Sequence, residues 1–383
     1  MKHGILISTA IGVFLLSGCG TPPATTVPPT ATATDVPPTA TATEALPTPT
    51  QMPALEFEIP TEIGLHDSYI IDETRSLAVG LTSRAEDIHP LIPVIMLTTD
   101  GGRNWTEVET GLEIGNLNSV TFTDALTGYA AGQDYNDRTP VILRTEDGGQ
   151  TWEKAIGPQT QAMVNKVYFS PAGIGWSVGF YENDGSLLLR SEDGITWVEQ
   201  DHPSSGKASL NGITFPSKEV GYAVGGNPPY LIKTTNGGAT WNELEVPLEE
   251  AFLYDVLFFD DLHGMVAGGF SGDSGVILVT KDGGESWRVS KISGSSVYLG
   301  RIFQYGNTLL VFGNDCGDNG CSGLVLKSND KGDAWEELPH LDGRVTAIGS
   351  SNSAMGLVVF AVYTDAYAGI KTTHWEYFSP NLE

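Results

Sequence analysis

The chain has 383 residues, of which 47 are acidic and 20 basic, so its formal net charge is −27. This excess of acid argues against a nucleic-acid-binding protein, because such proteins need basic surface to neutralise phosphates. Three cysteines are too few for a disulfide scaffold or a four-cysteine zinc site, and 46 glycines with 8 tryptophans favour turns and strands.

The N-terminal segment has the features of an export signal. Lys2 precedes an apolar run over residues 5–16, which is too short to span a bilayer as a stable anchor. The run ends in Leu-Ser-Gly-Cys at residues 16–19, a tetrad that resembles the bacterial lipobox. The resemblance implies that residues 1–18 are a lipoprotein signal peptide and that Cys19 is lipidated. The alternative is an ordinary signal peptide followed by a chance cysteine.

Residues 19–53 are predicted to be a linker. Most positions are Thr, Pro or Ala, and residues 27–35 and 36–44 form a nearly identical tandem repeat. This composition cannot form a core and favours extended polyproline II structure. We therefore expect a spacer that holds a domain of residues 54–383 clear of the membrane.

Six copies of one short motif recur through the remaining chain. Each copy has Thr or Ser, then an acid or amide two residues later, then one or two glycines and a tryptophan. The tryptophans lie 44 to 48 residues apart, and such a period is typical of propeller blades. The paired motif residues are Asp100 and Trp105, Asp147 and Trp152, Asp193 and Trp197, Asn236 and Trp241, Asp282 and Trp287, and Asp330 and Trp335.

A second motif precedes most of these copies. A segment of the form Gly-x-x-x-Gly begins at Gly128, Gly175, Gly221 and Gly264, and a phenylalanine lies six residues before each. Each repeat therefore reads as four short strands, which in the second repeat cover about 118–123, 128–132, 140–146 and 151–155. The first motif then forms the turn between the third and fourth strands.

About one further period follows Trp335. It predicts strands near 344–349, 356–363 and 369–374, and so a seventh blade. Residues 54–59 align with the fourth strand that follows Trp241 and are expected to close the last blade, because closure removes a free sheet edge. The alternative is that residues 375–378 supply that strand.

The first motif resembles the Asp box, or bacterial neuraminidase repeat, of sialidases, xyloglucanases, sortilins and propellers like the photosystem II assembly and stability factor. Together with the Gly-x-x-x-Gly strand and the period, it is most similar to the last group. The resemblance implies an all-β, seven-bladed propeller of four-stranded blades, in which the Asp box is structural and not catalytic. The third copy is one residue short, and the fourth has Asn236 in place of Asp.

The sequence offers little support for catalysis. Sialidases clamp their substrate with three arginines and carry an Arg-Ile-Pro motif that is absent here. Arg84 and Arg138 fall in loops between second and third strands, and Arg301 and Arg344 fall at the starts of first strands. These arginines could share one face, but nothing in the sequence groups them into a triad. We predict a protein that is not an enzyme and needs no cofactor.

One loop stands out by composition. Cys316 and Cys321 lie five residues apart between the second and third strands of the sixth repeat, and export would favour a disulfide between them. The alternative is a calcium site using Asp315, Asp318 and Asn319, because that ion prefers oxygen ligands.

The corresponding loops of other repeats are also acidic, and in a propeller they emerge on the face opposite the Asp boxes. This predicts an acidic face that either is simply solvated or docks a cationic partner or divalent ions. Its residues are Asp134, Asp137, Glu182, Asp184, Asp273, Asp315 and Asp318.

The expected function is that of a membrane-anchored, extracytoplasmic module on the outer face of the cell membrane, or on the periplasmic side in a diderm. It would act as a monomer that binds a protein partner in the cell envelope, as a scaffold or assembly factor. The alternative is a glycan-binding or glycoside-hydrolase propeller.

Overall fold

The structure is a computed structural model. It describes residues 63–83, 91–183, 185–203, 209–226, 228–270, 274–292, 296–317, 320–341, 344–350, 357–365 and 369–378. Contacts divide the chain into Met1–Thr48 and Pro49–Glu383, and every described residue belongs to the second unit. The expected signal peptide, Cys19, the linker and the expected strand at 54–59 lie outside the described residues. Within the described ranges, no helix is long and apolar enough to cross a membrane.

The regular elements of the described residues are all β-strands. The strands of the first three blades are β1 (Ile63–Ile70), β2 (Ser76–Ser83), β3 (Leu91–Thr98), β4 (Thr106–Val108), β5 (Gly115–Phe122), β6 (Gly128–Asp134), β7 (Thr139–Thr145), β8 (Glu153–Lys154), β9 (Ala162–Phe169), β10 (Gly175–Tyr181), β11 (Ser186–Ser191) and β12 (Val198–Glu199). Those of the next three are β13 (Leu210–Thr214), β14 (Gly221–Gly225), β15 (Tyr230–Thr234), β16 (Asn242–Glu243), β17 (Phe252–Phe258), β18 (Gly264–Gly269), β19 (Gly275–Thr280), β20 (Arg288–Ile292), β21 (Val297–Tyr305), β22 (Thr308–Gly317), β23 (Gly320–Ser328) and β24 (Glu336–Glu337). The last three strands are β25 (Arg344–Ser350), β26 (Leu357–Asp365) and β27 (Gly369–Phe378).

Each successive group of four strands forms one antiparallel blade, from blade 1 (β1–β4) to blade 6 (β21–β24). The first strands of neighbouring blades contact one another in turn, so these strands surround the centre of the ring. We call the end at which the first strands begin the upper face. The loops between second and third strands lie on that face, and the Asp-box turns lie on the opposite, lower face.

The prediction of a seventh blade is wrong, because the described strands form six sheets. β25 pairs in parallel with β1, with Ser68 opposite Gly349 and Tyr69 opposite Ser350. The last three strands therefore extend blade 1 to seven strands instead of forming a sheet of their own. Gly349 permits this approach, since a Cβ there would lie 2.7 Å from Ser68 Oγ and 3.0 Å from its carbonyl carbon. Residues 375–378 belong to β27, which pairs with β26.

Two steric contacts account for the Gly-x-x-x-Gly motif. In blade 2, a Cβ on Gly128 would strike the ring of Phe122, and a Cβ on Gly132 would overlap the carbonyl oxygen of Asn116. The phenylalanine thus packs over the first glycine, which explains their constant spacing along the chain. The second glycine lets the second strand lie close to the first beside an irregularity in the first strand.

Aromatic side chains lock neighbouring blades together. Trp176 of blade 3 stacks on Phe215 of blade 4 with ring centroids 5.3 Å apart, and its edge meets Trp241 at 5.6 Å. All three are buried. Burying an aromatic side chain of this size contributes roughly 1.5–3 kcal/mol through the hydrophobic effect. The core therefore lies largely at the interfaces between neighbouring blades.

Candidate binding site

In the Asp-box turns on the lower face, the aspartate carboxylates form hydrogen bonds within the turn itself. In blade 2, Asp147 Oδ1 accepts hydrogen bonds from the backbone N–H of Gln150 and of Thr151, both at 2.9 Å, and from Thr145 Oγ1 at 2.8 Å. Hydrogen bonds from Ser286 lower the pKa of the equivalent Asp282 to about 2. These carboxylates are bound within their own turns and are poor candidates for ligand binding.

The two irregular copies keep this pattern. Asn236 Oδ1 accepts the Thr240 backbone N–H at 2.9 Å, while Asn236 Nδ2 donates to Thr240 Oγ1 at 2.9 Å. In the shortened third copy, Asp193 Oδ1 accepts the N–H groups of Ile195 and Thr196. The turn therefore tolerates loss of the charge or of one residue.

Three of the predicted acidic residues of the upper face, Asp134, Asp137 and Glu182, have partners within the protein. Asp134 pairs with Lys154 at 3.2 Å, and Asp137 accepts the Thr139 hydroxyl at 2.6 Å. The carboxylate of Glu182 reaches blade 2, where Arg138 Nη1 lies 3.0 Å away and Gln133 donates from 3.0 Å. Glu182 therefore links its loop to the neighbouring blade, whereas the contacts of Asp134 and Asp137 stay within blade 2. Asp315 is half-buried on β22, whereas Asp184, Asp273, Asp318 and Asn319 lie outside the described residues.

Cys316 and Cys321 are joined by a disulfide across the paired ends of β22 and β23. Among the described residues, no group of three His, Cys, Asp or Glu side chains is arranged to hold a metal ion. The bridge joins the second and third strands of blade 6 on the upper face.

Every first strand carries a β-bulge at the same position. The unpaired residues are His66, Asn118, Asn165, Asn211, Tyr254, Gly300 and, on β25, Thr346. A bulge re-aims a side chain out of the regular ladder. The bulged side chains of blades 1 to 4 each reach the first strand of the next blade, and we call these contacts clasps.

Each clasp ends on the carbonyl of the residue that precedes the next bulge. His66 Nδ1 donates to Leu117 O at 3.0 Å, and Asn118 Nδ2 donates to Val164 O at 2.8 Å. The remaining two run from Asn165 to Leu210 O at 2.9 Å and from Asn211 to Leu253 O at 2.8 Å. Burial lowers the pKa of His66, so it is a neutral donor at pH 7.

Blade 6 builds its clasp differently. Its bulged residue is Gly300, which has no side chain to reach β25. Asn314, from the end of β22, replaces it by donating to Val345 O at 3.0 Å and accepting from Val345 N–H at 2.7 Å. The bulge position is left vacant, and among the described residues beyond its chain neighbours no heavy atom lies within 4 Å of where a Cβ on Gly300 would be.

A cavity of about 350 Å³ occupies this vacancy. It lies between β1, β21, β22 and β25, near the upper face. Its lining residues are Gly64, Leu65, His66, Tyr298, Gly300, Arg301, Phe312, Gly313, Asn314, Arg344, Val345 and Thr346. None of these described residues is acidic, although the protein as a whole carries a net charge of −27.

Two ion pairs with buried carboxylates cross the centre of the ring, and Arg301 of one pair also lines the cavity. Arg301 of β21 lies 3.2 Å from Asp67 of β1, and Lys166 of β9 lies 2.6 Å from Asp255 of β17. Burial raises the pKa of Asp67, and the opposing charge of Arg301 favours its ionised form. Both pairs skip the first strand between them, so these side chains face the common centre of the ring.

Aromatic rings occupy the first strands of blades 5 and 6. Phe252 and Tyr254 stack with centroids 6.3 Å apart, and Tyr254 meets the ring of Tyr298 at 6.3 Å. Arg344 Cζ lies 5.6 Å from the centroid of Tyr298. The three rings are only partly buried. We call Phe252, Tyr254 and Tyr298 the aromatic arc, and it continues directly into the cavity.

The sequence pointed to the upper face, but to other residues than those of the aromatic arc and the cavity wall. It placed Arg301 and Arg344 at first-strand starts without bringing them together, and it emphasised the acidic loops. A signal for the clasps was present, because Asn118, Asn165 and Asn211 each lie four residues before the recurring phenylalanine. At the same position of the first strand, blade 5 has Tyr254 and blade 6 has Gly300 in place of the asparagine.

The sequence comparisons point to one family over part of the chain. The family described as photosynthesis system II assembly factor YCF48 matches residues 239–377. This segment includes blade 5, blade 6 and most of β25–β27, and so contains the aromatic arc and most of the cavity. No curated protein matches the chain in sequence.

Solved structures share the fold at low sequence identity. A structure described as YCF48 bound to D1 peptide has a TM-score of 0.58 at 17% identity, covering 88% of this chain and 99% of that one. YCF48 from Cyanidioschyzon merolae has a TM-score of 0.57 at 14% identity, with 85% and 99% covered. An ancestral GH74 enzyme has a TM-score of 0.60 at 12% identity, covering 85% of this chain and 48% of that one. At these identities the likeness establishes a propeller fold.

Proposed function

We propose that this propeller is a non-catalytic protein-binding module that holds an extended segment of a partner at the centre of its upper face. The observation that carries the proposal is the asymmetry of the first strands. Blades 1 to 4 fill their bulge positions with clasps, whereas blades 5 and 6 present the aromatic arc and a cavity. Partly exposed aromatic rings beside arginine are enriched where proteins bind other proteins.

The comparisons support the proposal in two ways. The matched family is described as an assembly factor, and its match covers the blades that carry the arc. One similar structure is described as bound to a peptide. The partner of the present protein is a segment with apolar or aromatic side chains that pack on Phe252 and Tyr254.

The test is retention of degenerate hexapeptides on the immobilised protein. The wild type should retain peptides rich in apolar or aromatic residues, and Tyr254→Ala should lose them. Leu126→Ala is the matched control, because Leu126 is 54% exposed in a loop on the lower face. Equal retention by wild type and Tyr254→Ala would contradict the proposal.

A glycan is the second candidate ligand, because partly exposed rings such as Phe252 and Tyr254 also stack on sugar rings. Affinity electrophoresis in gels containing plant or bacterial polysaccharides separates the two candidates. Retardation that depends on Tyr254, together with no peptide retention, would favour the glycan.

We further propose that the module acts as a monomer on the outer side of the cell membrane, anchored through a lipid on Cys19. The lipobox-like tetrad and the proline-rich linker support this location. Cys19→Ser should move the protein from the membrane fraction to the soluble fraction. Unchanged sedimentation with membranes would place the anchor elsewhere.

A further inference from the structure

We propose that the cavity at Gly300 is a carboxylate-binding pocket. It would receive one acidic group of the bound segment while the aromatic arc packs against neighbouring apolar groups. The inference rests on the proposed function and deepens it, since it assigns a chemical class to one part of the partner.

The vacancy is built into the backbone. Four clasps show what a bulged side chain does in this fold, and only in blade 6 does a residue from the second strand take over that hydrogen bond among the described clasps. Asn314 satisfies both the N–H and the carbonyl of Val345, so the position of Gly300 is free without leaving those backbone groups unpaired. The space is therefore available to a ligand at no cost in internal hydrogen bonds.

The polar groups that line this space are mostly donors. Arg344 is exposed and stacks on Tyr298, and no carboxylate pairs with it among the described residues. Tyr298 Oη accepts from Asn314 Nδ2 at 3.1 Å, which leaves the phenolic proton for a ligand. Thr346 Oγ1 is buried and has no hydrogen-bond partner within the described structure. A buried hydroxyl without a hydrogen-bond partner in a cavity wall can form a hydrogen bond with a ligand.

Charge decides the class of ligand. Among the described residues of the cavity wall there are two arginines and no acid, and Arg301 gives only part of its donors to Asp67. Guanidinium groups bind carboxylates through charge-assisted, often bidentate hydrogen bonds. The volume of about 350 Å³ lies near the lower end of ligand pockets, which run to ~1,000 Å³, and suits one side chain or one chain end.

The direct test is protection of Arg344 from phenylglyoxal, an arginine-specific reagent, followed by mass spectrometry of the full chain. The probes are N-acetyl-aspartate amide for a side-chain carboxylate, N-acetyl-alanine for a chain-terminal carboxylate, and N-acetyl-asparagine amide as the neutral control. We expect at least one carboxylate probe to slow the modification of Arg344 several-fold and the neutral probe to leave it unchanged. The more effective carboxylate identifies the source of the acid.

Two controls make the result specific. Arg103 is exposed on the lower face and should be modified at the same rate with every probe. Thr346→Val should weaken the protection, and Gly300→Asn should abolish it by filling the space. If neither carboxylate protects Arg344, or if the asparagine probe protects it equally, the inference is wrong.

Failure of this inference can be told apart from failure of the proposed function. In the hexapeptide experiment, wild type should enrich peptides that carry an acid, and Arg344→Gln should keep the apolar preference while losing the acidic one. Retention of apolar peptides with no acidic preference would overturn the carboxylate pocket and leave peptide binding intact. Protection of Arg344 without any peptide retention would overturn peptide binding and leave the carboxylate pocket intact.

Discussion

The absence of a Cβ has different effects at two glycines near the bulges of the first strands, Gly132 and Gly300. Gly132 faces the carbonyl oxygen of Asn116, where a Cβ would overlap. Gly300 faces open space instead. Two glycines in the same fold thus have opposite roles, since one allows close packing of strands and the other leaves room for a ligand.

This contrast gives a paired prediction. Gly132→Ala should lower the free energy of unfolding by about 1–3 kcal/mol, because the added carbon forces β5 and β6 apart. Gly300→Ala should change it by less than about 0.5 kcal/mol. Urea denaturation of the two variants measures the difference, and equal losses would mean that the bulge is not held by Gly132.

Lys331 adopts a backbone conformation that is unfavourable for a residue with a side chain. It has φ of 59° in the sixth Asp box, where the first box has Gly101 with φ of 74°. A side chain in this left-handed region is strained, whereas glycine is not. Lys331→Gly should therefore raise stability by about 0.5–1 kcal/mol, and Gly101→Lys should lower it. Thermal unfolding of both variants tests the sign, and a loss for Lys331→Gly would contradict the assignment of strain.

At the scale of the element, the Asp-box turn was predictable because its donors and acceptors lie within eight residues of one another. The clasps depend on register between blades, and the loop chemistry of one repeat does not reveal that register. For the same reason the acidic residues suggested a docking face, whereas Glu182 is engaged by Arg138 and Gln133 of the neighbouring blade.

The turns make stability depend on pH in a defined window. The folded pKa values of Asp100, Asp193 and Asp282 are about 2, below the ordinary value of 3.8. Their contribution is present above about pH 4 and is lost as pH falls towards 2, since only the ionised form accepts all the turn hydrogen bonds.

Asp282→Asn should consequently lower the thermal midpoint at pH 6 and have a smaller effect near pH 2. Asn236→Asp is the converse variant and should steepen the acid dependence. Midpoints measured from pH 6 to pH 2 provide the test, and a constant difference between wild type and Asp282→Asn would show that the carboxylate charge is not involved.

At the scale of the whole molecule, the period of about 45 residues correctly predicted a repeat of four strands, but the predicted number of blades was wrong. The last three strands were recognised as strands, with bounds close to those of β25–β27. Their attachment was missed because pairing of β25 with β1 joins residues 281 positions apart, and no local pattern encodes it. The cavity was missed for a related reason, since its walls come from both ends of the described chain.

The junction between β1 and β25 predicts a sensitive position. Gly349→Ala should lower the thermal midpoint by several degrees, because the new Cβ would collide with Ser68 and part the two strands. Gly157→Ala is the control, since no heavy atom of the described residues beyond its chain neighbours lies within 4 Å of a Cβ there. Equal midpoints for the two variants would indicate that this parallel contact does not hold the ring.

The clasps also bear on how such a ring can gain or exchange repeats. In blades 2 to 4 the asparagine donor and the acceptor carbonyl are adjacent on the same first strand. A duplicated repeat therefore carries both the donor and the acceptor of a clasp, and it can be inserted without changes in the neighbouring blades. Blade 6 breaks this interchangeability. Its donor, Asn314, lies on the second strand and matches Val345 of β25, so blade 6 and the strands after it must be inherited together for the pocket between them to persist.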